Sequence, residues 1–164
     1  MGCNCRDKKI IETEKAPKAV GPYSIGAIGS NLVFTSGQIG LDPKTQNLVK
    51  GGIGHETEQV INNIKNILEE AGSGLGYVVK TTVFLRDLNE FNSMNEIYSG
   101  FFIENPPARS TIQVVGLPKY ASVMIEAVAV IPCKCECDGD CKCKDDCNCG
   151  SDNDVDKDHH CECK

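Results

Sequence analysis

The feature that most limits what this chain can fold into is an abrupt change of composition at Pro132. From Cys133 to Lys164 the one apolar residue other than cysteine is Val155, while nine of the chain's eleven cysteines lie there. Such a segment buries too little apolar surface to offset the entropy of ordering its backbone, so it is expected to be disordered unless something ties its thiols together. It also holds five Lys against ten Asp plus Glu, which accounts for most of the formal net charge of −6. What precedes it is nearly neutral, long enough for one domain with a core and too short for two. The sequence therefore divides into a Cys-containing start (1–14), a folded body (15–131) and a Cys-rich tail (132–164).

The opening MGCNCRDKKIIETEK is polar and charged, and no segment approaches the roughly 20 apolar residues needed to span a bilayer. The expected setting is the reducing cytoplasm, where dense cysteine indicates metal ligation before disulfides.

Within the body, NLVFTSGQIGL and then NLV read as two β segments around the turn material DPKTQ, a hairpin-like start. From Glu56 to Ala71 apolar residues fall at Val60, Ile61, Ile64, Ile67, Leu68 and Ala71, the spacing of an amphipathic helix, and Gly72 can close it. VVKTTVFLRDL predicts a strand, and Phe91, Met94, Ile97, Tyr98, Phe101 and Phe102 mark a second helix ending before Pro106 and Pro107. ARSTIQVVGL and SVMIEAVAVI supply the last two strands. This order favours an α+β layer: one mixed sheet with both helices on a single face. Because Val123 to Ile131 is apolar on both alternating sides except at Glu126, the second face is also expected to be covered, most simply by self-association.

Two charges interrupt these strands. Arg109 shares one strand face with Thr111 and Gln113, and Glu126 lies between Met124 and Val128 on another. Burying either is costly unless it is paired or functional. Two arrangements answer that cost: an Arg109–Glu126 ion pair holding a terminal hairpin, or Arg109 gripping a substrate carboxylate while Glu126 positions or deprotonates a water.

The run PPARSTIQVVGLPKYASVMIEAVAV, with GPYSIGA, NLVFTSGQIGLDPKTQ and VVKTTVFLRDLNEFNSMNEIY, resembles the RidA family, also called YjgF, over roughly 15–131. The resemblance implies a homotrimer of chorismate-mutase-like subunits around a central barrel, with a cleft at each subunit interface. It also implies deamination of small 2-imino acids such as those derived from 2-aminoacrylate and 2-aminocrotonate, without metal or organic cofactor. By the same likeness Arg109 binds the substrate carboxylate, Glu126 orients the attacking water, and Tyr23 and Ser36 line the pocket. Thr111, where many members carry cysteine, offers its backbone amide to the carboxylate.

Some members of that family are described as endoribonucleases or translation inhibitors. RNA cleavage usually employs histidine, and in the body only His55 is present, at a helix start that suits solvation or capping. An acidic chain without a basic stripe also disfavours nucleic acid. GGIGHE lacks the Lys-Ser/Thr of a phosphate loop and reads as a plain loop.

In the tail Cys133, Cys135, Cys137, Cys141, Cys143, Cys147, Cys149, Cys161 and Cys163 form repeated Cys-x-Cys units resembling metallothionein sequence. Thiols so spaced can chelate one soft ion, with Zn, Cu(I) or Cd the natural choices. His159 and His160 stand beside them as imidazole ligands or as solvated side chains. Cys3 and Cys5 repeat the spacing at the other end, although MGCNC also resembles a lipidation start, with Arg6 where that motif has Ser or Thr. A different class of function follows if the body merely trimerises three metal-buffering tails.

Overall fold

A computed structural model describes residues 8–132. The apolar stripe expected from periodicity is the buried face of α1 (Ile53–Glu70), which begins three residues before Glu56. Gly51 (φ 118°) and Gly52 (φ 77°) turn the chain into it with backbone angles that L side chains rarely adopt. At the other end Gly72 (φ 78°) donates to the Glu69 carbonyl at 3.0 Å and Ser73 N–H reaches Leu68 O at 2.8 Å, so Gly72 closes the helix as expected. The second helix, α2 (Phe91–Phe101), buries Met94 and Tyr98 and stops ahead of Pro106.

Seven strands make one sheet: β1 (Lys9–Ile11), β2 (Gly26–Gly29), β3 (Leu32–Thr35), β4 (Gln38–Ile39), β5 (Val78–Leu85), β6 (Ala108–Gln113) and β7 (Val123–Val130). Their order is β1-β2-β3-β7-β5-β6, with β4 also pairing β7. All pairs are antiparallel except β5 and β6, whose connection passes through α2. Ile61, Ile64 and Leu68 of α1 and Met94 of α2 join Val83, Leu85, Ile125 and Ala127 in one core, so both helices cover the same sheet face. The α+β layer with two helices on one face is therefore present. Among the described residues no helix is long and apolar enough to cross a membrane.

Three local expectations are corrected. NLVFTSGQIGL is not one strand: it breaks at Ser36–Gly37 into β3 and β4, and Asn47–Val49 contributes only an isolated bridge between Leu41 and Leu48. The first hairpin is instead β2–β3, turning at Ser30 and Asn31. The sheet also begins ahead of Lys15, because β1 pairs β2 and buries Ile11. Finally, the last two strands do not form a hairpin, since β5 lies between β6 and β7. Its Val78 and, past an irregularity in register, its alternating Thr81, Val83 and Leu85 are all buried, and so it occupies the centre.

The face away from the helices carries Leu32, Phe34, Phe84, Ile112, Met124, Val128 and Val130 together with Lys80, Thr82, Ser110 and Glu126. In the single chain Phe34 and Ile112 are each 46% exposed, so this second face is only half covered.

Candidate active site

Arg109 sits on the edge strand β6, opposite Thr81 of β5, and shares the helix-side face with it. Its guanidinium carbon stands 4.5 Å from the Tyr98 ring centroid and 5.6 Å from that of Phe91, and Nη2 donates to Asn95 Oδ1 at 2.8 Å. Phe91, Asn95 and Tyr98 are i, i+4 and i+7 on α2, so one helix face builds the whole seat. Tyr98 is itself fixed by a 2.8 Å hydrogen bond between its hydroxyl and Thr81 Oγ1 and by the Phe102 ring at 4.6 Å. Burial pushes the Tyr98 phenol above its ordinary pKa, against the opposing pull of the Thr81 bond and the Arg109 charge. The seat is neutral and aromatic, with a cation over it.

The Arg109–Glu126 ion pair is not made. Among the described residues the one ion pair is Lys65–Glu69 at 3.8 Å, along α1. Glu126 lies in the row Ser110–Thr82–Glu126, whereas Arg109 lies in the row Arg109–Thr81–Ala127. Successive residues of a strand point to opposite faces, so the two charges project from opposite sides of the sheet. Their strands are also separated by β5, a backbone distance of about 10 Å. One chain therefore does not bring them together. Thr111, two residues after Arg109, shares its face and is half-buried.

The segments that carry Tyr23 and Ser36 are joined, although Ser36 lines neither of the cavities that Tyr23 lines. The Ser36 hydroxyl donates to Ser24 O at 2.6 Å and its N–H to Ile25 O at 2.9 Å, which stitches GPYS to TSGQ. Between the pairs Phe34–Val128 and Gln38–Ile125 four residue steps on one side face three on the other. This is a β-bulge, and its extra residue lies beside Glu126. Thr35 Oγ1 accepts from Ala127 N at 2.9 Å and closes one end of the bulge. At Gly37 a Cβ would lie 2.8 Å from Met124 Sδ, so glycine lets the bulge pack against β7. A cavity of about 280 Å³ opens here, lined by Tyr23, Gly37, Gln38, Pro118, Lys119 and Met124. A larger one of about 560 Å³, on Glu12, Glu14, Lys18, Tyr23 and Glu70, is lined by three carboxylates and suits an anionic substrate poorly.

Sequence reading missed Phe91, Asn95 and Gly37. Asn95 carried a signal, as a polar residue four positions from Phe91 and three from Tyr98; Gly37 carried none apart from the strand it interrupts. His55 is exposed at the start of α1, its Nδ1 3.1 Å from Gly51 O, in keeping with a solvated or capping role. Cys3, Cys5 and the nine cysteines from Cys133 to Cys163 lie outside the described residues. Among the described residues no three His, Cys, Asp or Glu side chains are grouped to hold a metal ion.

The family model of endoribonuclease L-PSP matches residues 13–131. A RutC family protein of Pyrococcus abyssi is 52% identical over 122 residues, spanning 74% of this chain and 96% of its own length. The human 2-iminobutanoate/2-iminopropanoate deaminase is 47% identical over 123 residues, 75% of this chain and 90% of its own. Among solved structures, Escherichia coli TdcF with bound serine aligns at TM-score 0.72 and 42% identity, covering 74% of this chain and 98% of that one.

Proposed function

The chain belongs to the endoribonuclease L-PSP family, and on that footing we propose that it is a 2-iminobutanoate/2-iminopropanoate deaminase working as a homotrimer. The observation that carries this reading is Arg109: a guanidinium seated on Tyr98 and Phe91, tied to Asn95 by one hydrogen bond, and paired with no carboxylate among the described residues. Such a group is suited to the two-pronged binding of a substrate carboxylate. The relative named for this activity and the serine bound by TdcF both involve small 2-substituted carboxylates.

In the proposed reaction Arg109 holds the carboxylate, with the Thr111 amide beside it, and Tyr23 and Ser36 line the pocket. Glu126 takes a proton from water as its oxygen bonds to the imine carbon. Glu126 returns that proton to the imine nitrogen as the C=N π bond opens to a carbinolamine; the carbinolamine hydroxyl then gives its proton to nitrogen as it becomes the carbonyl, the carbon–nitrogen bond breaks, and ammonia and a 2-oxo acid leave. An imine carbon is already electrophilic, so orientation supplies most of what is needed and no cofactor is called for.

The opposed faces of Arg109 and Glu126 are the reason for the oligomer. A β6 edge from one copy, set against the half-covered face of the next, brings the two charges into one cleft and covers Phe34, Met124 and Val128. The tail, Cys133 to Cys163, is proposed as a separable site for Zn or Cu(I) in a reducing cytoplasm. RNA cleavage, which the family's name suggests, is the weaker reading for a chain of net charge −6 whose His55 is taken up at a helix start.

The test is ammonia release from 2-aminoacrylate generated in situ. The protein should accelerate it and Arg109→Ala should abolish most of the acceleration; an unaltered rate in that variant refutes the assignment.

A further inference from the structure

The smaller cavity beside the bulge has an apolar floor and a cationic rim. Buried Ile25, Ile39 and Leu41 and half-buried Met124 form the floor, exposed Lys18 and Lys119 are its charged residues, and no carboxylate lines it. Lys18 also lines the larger, carboxylate-bearing cavity, yet neither lysine is ion-paired among the described residues. Gln46 ties the two together: its carbonyl accepts from Lys119 Nζ at 2.7 Å and its Oε1 from Lys18 N–H at 3.2 Å.

The turn that presents Lys119 is strained. Lys119 (φ 54°) and Tyr120 (φ 58°) are successive non-glycine residues with left-handed backbone. Such strain persists only where surrounding contacts over-determine it, and it gathers at ligand clamps. Here Arg86 Nη1 donates to the Tyr120 carbonyl. Two residues on, Ser122 N–H and Oγ donate to the buried Glu56 carboxylate at 2.7 and 3.0 Å, which anchors the turn to α1.

Met124 on the cavity floor shares a face of β7 with Glu126, two residues and about 6.8 Å away. In a five-carbon 2-imino dicarboxylate three bonds separate the imine carbon from the terminal carboxylate carbon. Consecutive Cα atoms are also three bonds apart and span about 3.8 Å. A hydrogen bond from a lysine adds about 3 Å, so the reach matches the step from Glu126 to Met124.

We infer that this cavity receives the substrate's side chain and that the preferred substrates are 2-imino dicarboxylates, their terminal carboxylate held by Lys18 and Lys119. The inference rests on the deaminase reading and adds a substrate class to it. The apolar floor takes the methylenes, and the rim takes the charge. A methyl or ethyl side chain would leave most of the 280 Å³ unfilled.

The experiment gives the full chain 2-iminoglutarate and 2-iminobutanoate, each generated in situ by an amino acid oxidase, and follows imine loss by semicarbazide trapping. The kcat/KM for 2-iminoglutarate should be higher by at least about tenfold. Lys18→Gln/Lys119→Gln should bring that ratio close to one, whereas Lys119→Arg, which keeps the charge, should preserve it. A ratio near one in the unaltered chain, or one that the glutamine variant leaves unchanged, overturns the cavity's role while deamination stands. Calorimetry with 2-oxoglutarate and 2-oxobutanoate reads the same preference without turnover. If neither imine is consumed faster but 2-oxoglutarate still binds more tightly through the two lysines, the deaminase reading falls and the dicarboxylate site stands. If 2-oxoglutarate binds no more tightly than 2-oxobutanoate, the dicarboxylate site falls.

Discussion

Mixing two inactive variants tests the opposed faces of Arg109 and Glu126 directly. Arg109→Ala removes the carboxylate grip and Glu126→Gln the proton acceptor. Hydrogen bonds to charged groups contribute about 1.5–3 kcal/mol, and about 1.4 kcal/mol is tenfold in rate, so each variant should retain roughly one tenth to less than one hundredth of the deamination rate. Because the Arg109 row passes through Thr81 and the Glu126 row through Thr82, the proposed site would take its arginine from one copy and its glutamate from another. When the variants are unfolded together in equal amounts and reassembled, about one quarter of the sites receive both groups, in a ring of any size. Ammonia release should climb to about a quarter of wild type. Wild type mixed with the double variant gives about a quarter of intact sites if they are shared, but about a half if each chain holds its own. The reasoning is refuted if mixed oligomers, verified by mass, are no more active than their parents.

Asn95→Ala removes the 2.8 Å bond that orients the guanidinium, so KM for the imine should rise several-fold with kcat much less affected, as steady-state kinetics would show. Tyr98→Phe leaves the Thr81 hydroxyl buried without its partner and should cost about 1–3 kcal/mol by denaturant unfolding. The raised pKa of Tyr98 also has a pH signature. The folded state keeps a phenol proton that the unfolded state loses above its ordinary pKa, so stability falls as pH rises past that point, and Tyr98→Phe removes this part of the fall. At Gly40 a Cβ would lie 2.9 Å from the Glu56 Cα, a backbone atom that cannot swing aside. Gly40→Ala should therefore lower stability by about 1–3 kcal/mol in the same unfolding assay.

Much of the fold was legible because its strongest signals are local. The 3.6 period of α1 and the Gly72 stop are written in adjacent residues, and so is the stripe of α2. What failed depended on partners remote in sequence. β1 has three residues, too few for alternation to register, and is a strand only because β2 offers it an edge. NLVFTSGQIGL looks continuous because a bulge changes register without changing residue type. The supposed terminal hairpin rested on the tendency of successive strands to neighbour one another, and a parallel crossover through α2 put β6 outside β5 instead.

The candidate site was legible in kind and not in arrangement. Arg109 and Glu126 stood out as charges in apolar strands, and Ser36 and Tyr23 through their motifs. That the two charges face apart could not be read, since facing is set by the shared β5 register. This arrangement also constrains any assembly that unites them. A guanidinium on an edge strand and a carboxylate on an open sheet face both stay solvated in the single chain, so neither is costly there. Packing two copies together would remove that water, and a half-desolvated charge without a partner costs several kcal/mol, about as much as one buried apolar side chain returns. The interface is therefore expected to close around the apolar Phe34, Met124 and Val128 while leaving a wet gap between Arg109 and Glu126. In the proposed deaminase a carboxylate entering that gap would neutralise the arginine, and the water remaining beside Glu126 would be the reagent that hydrolysis requires.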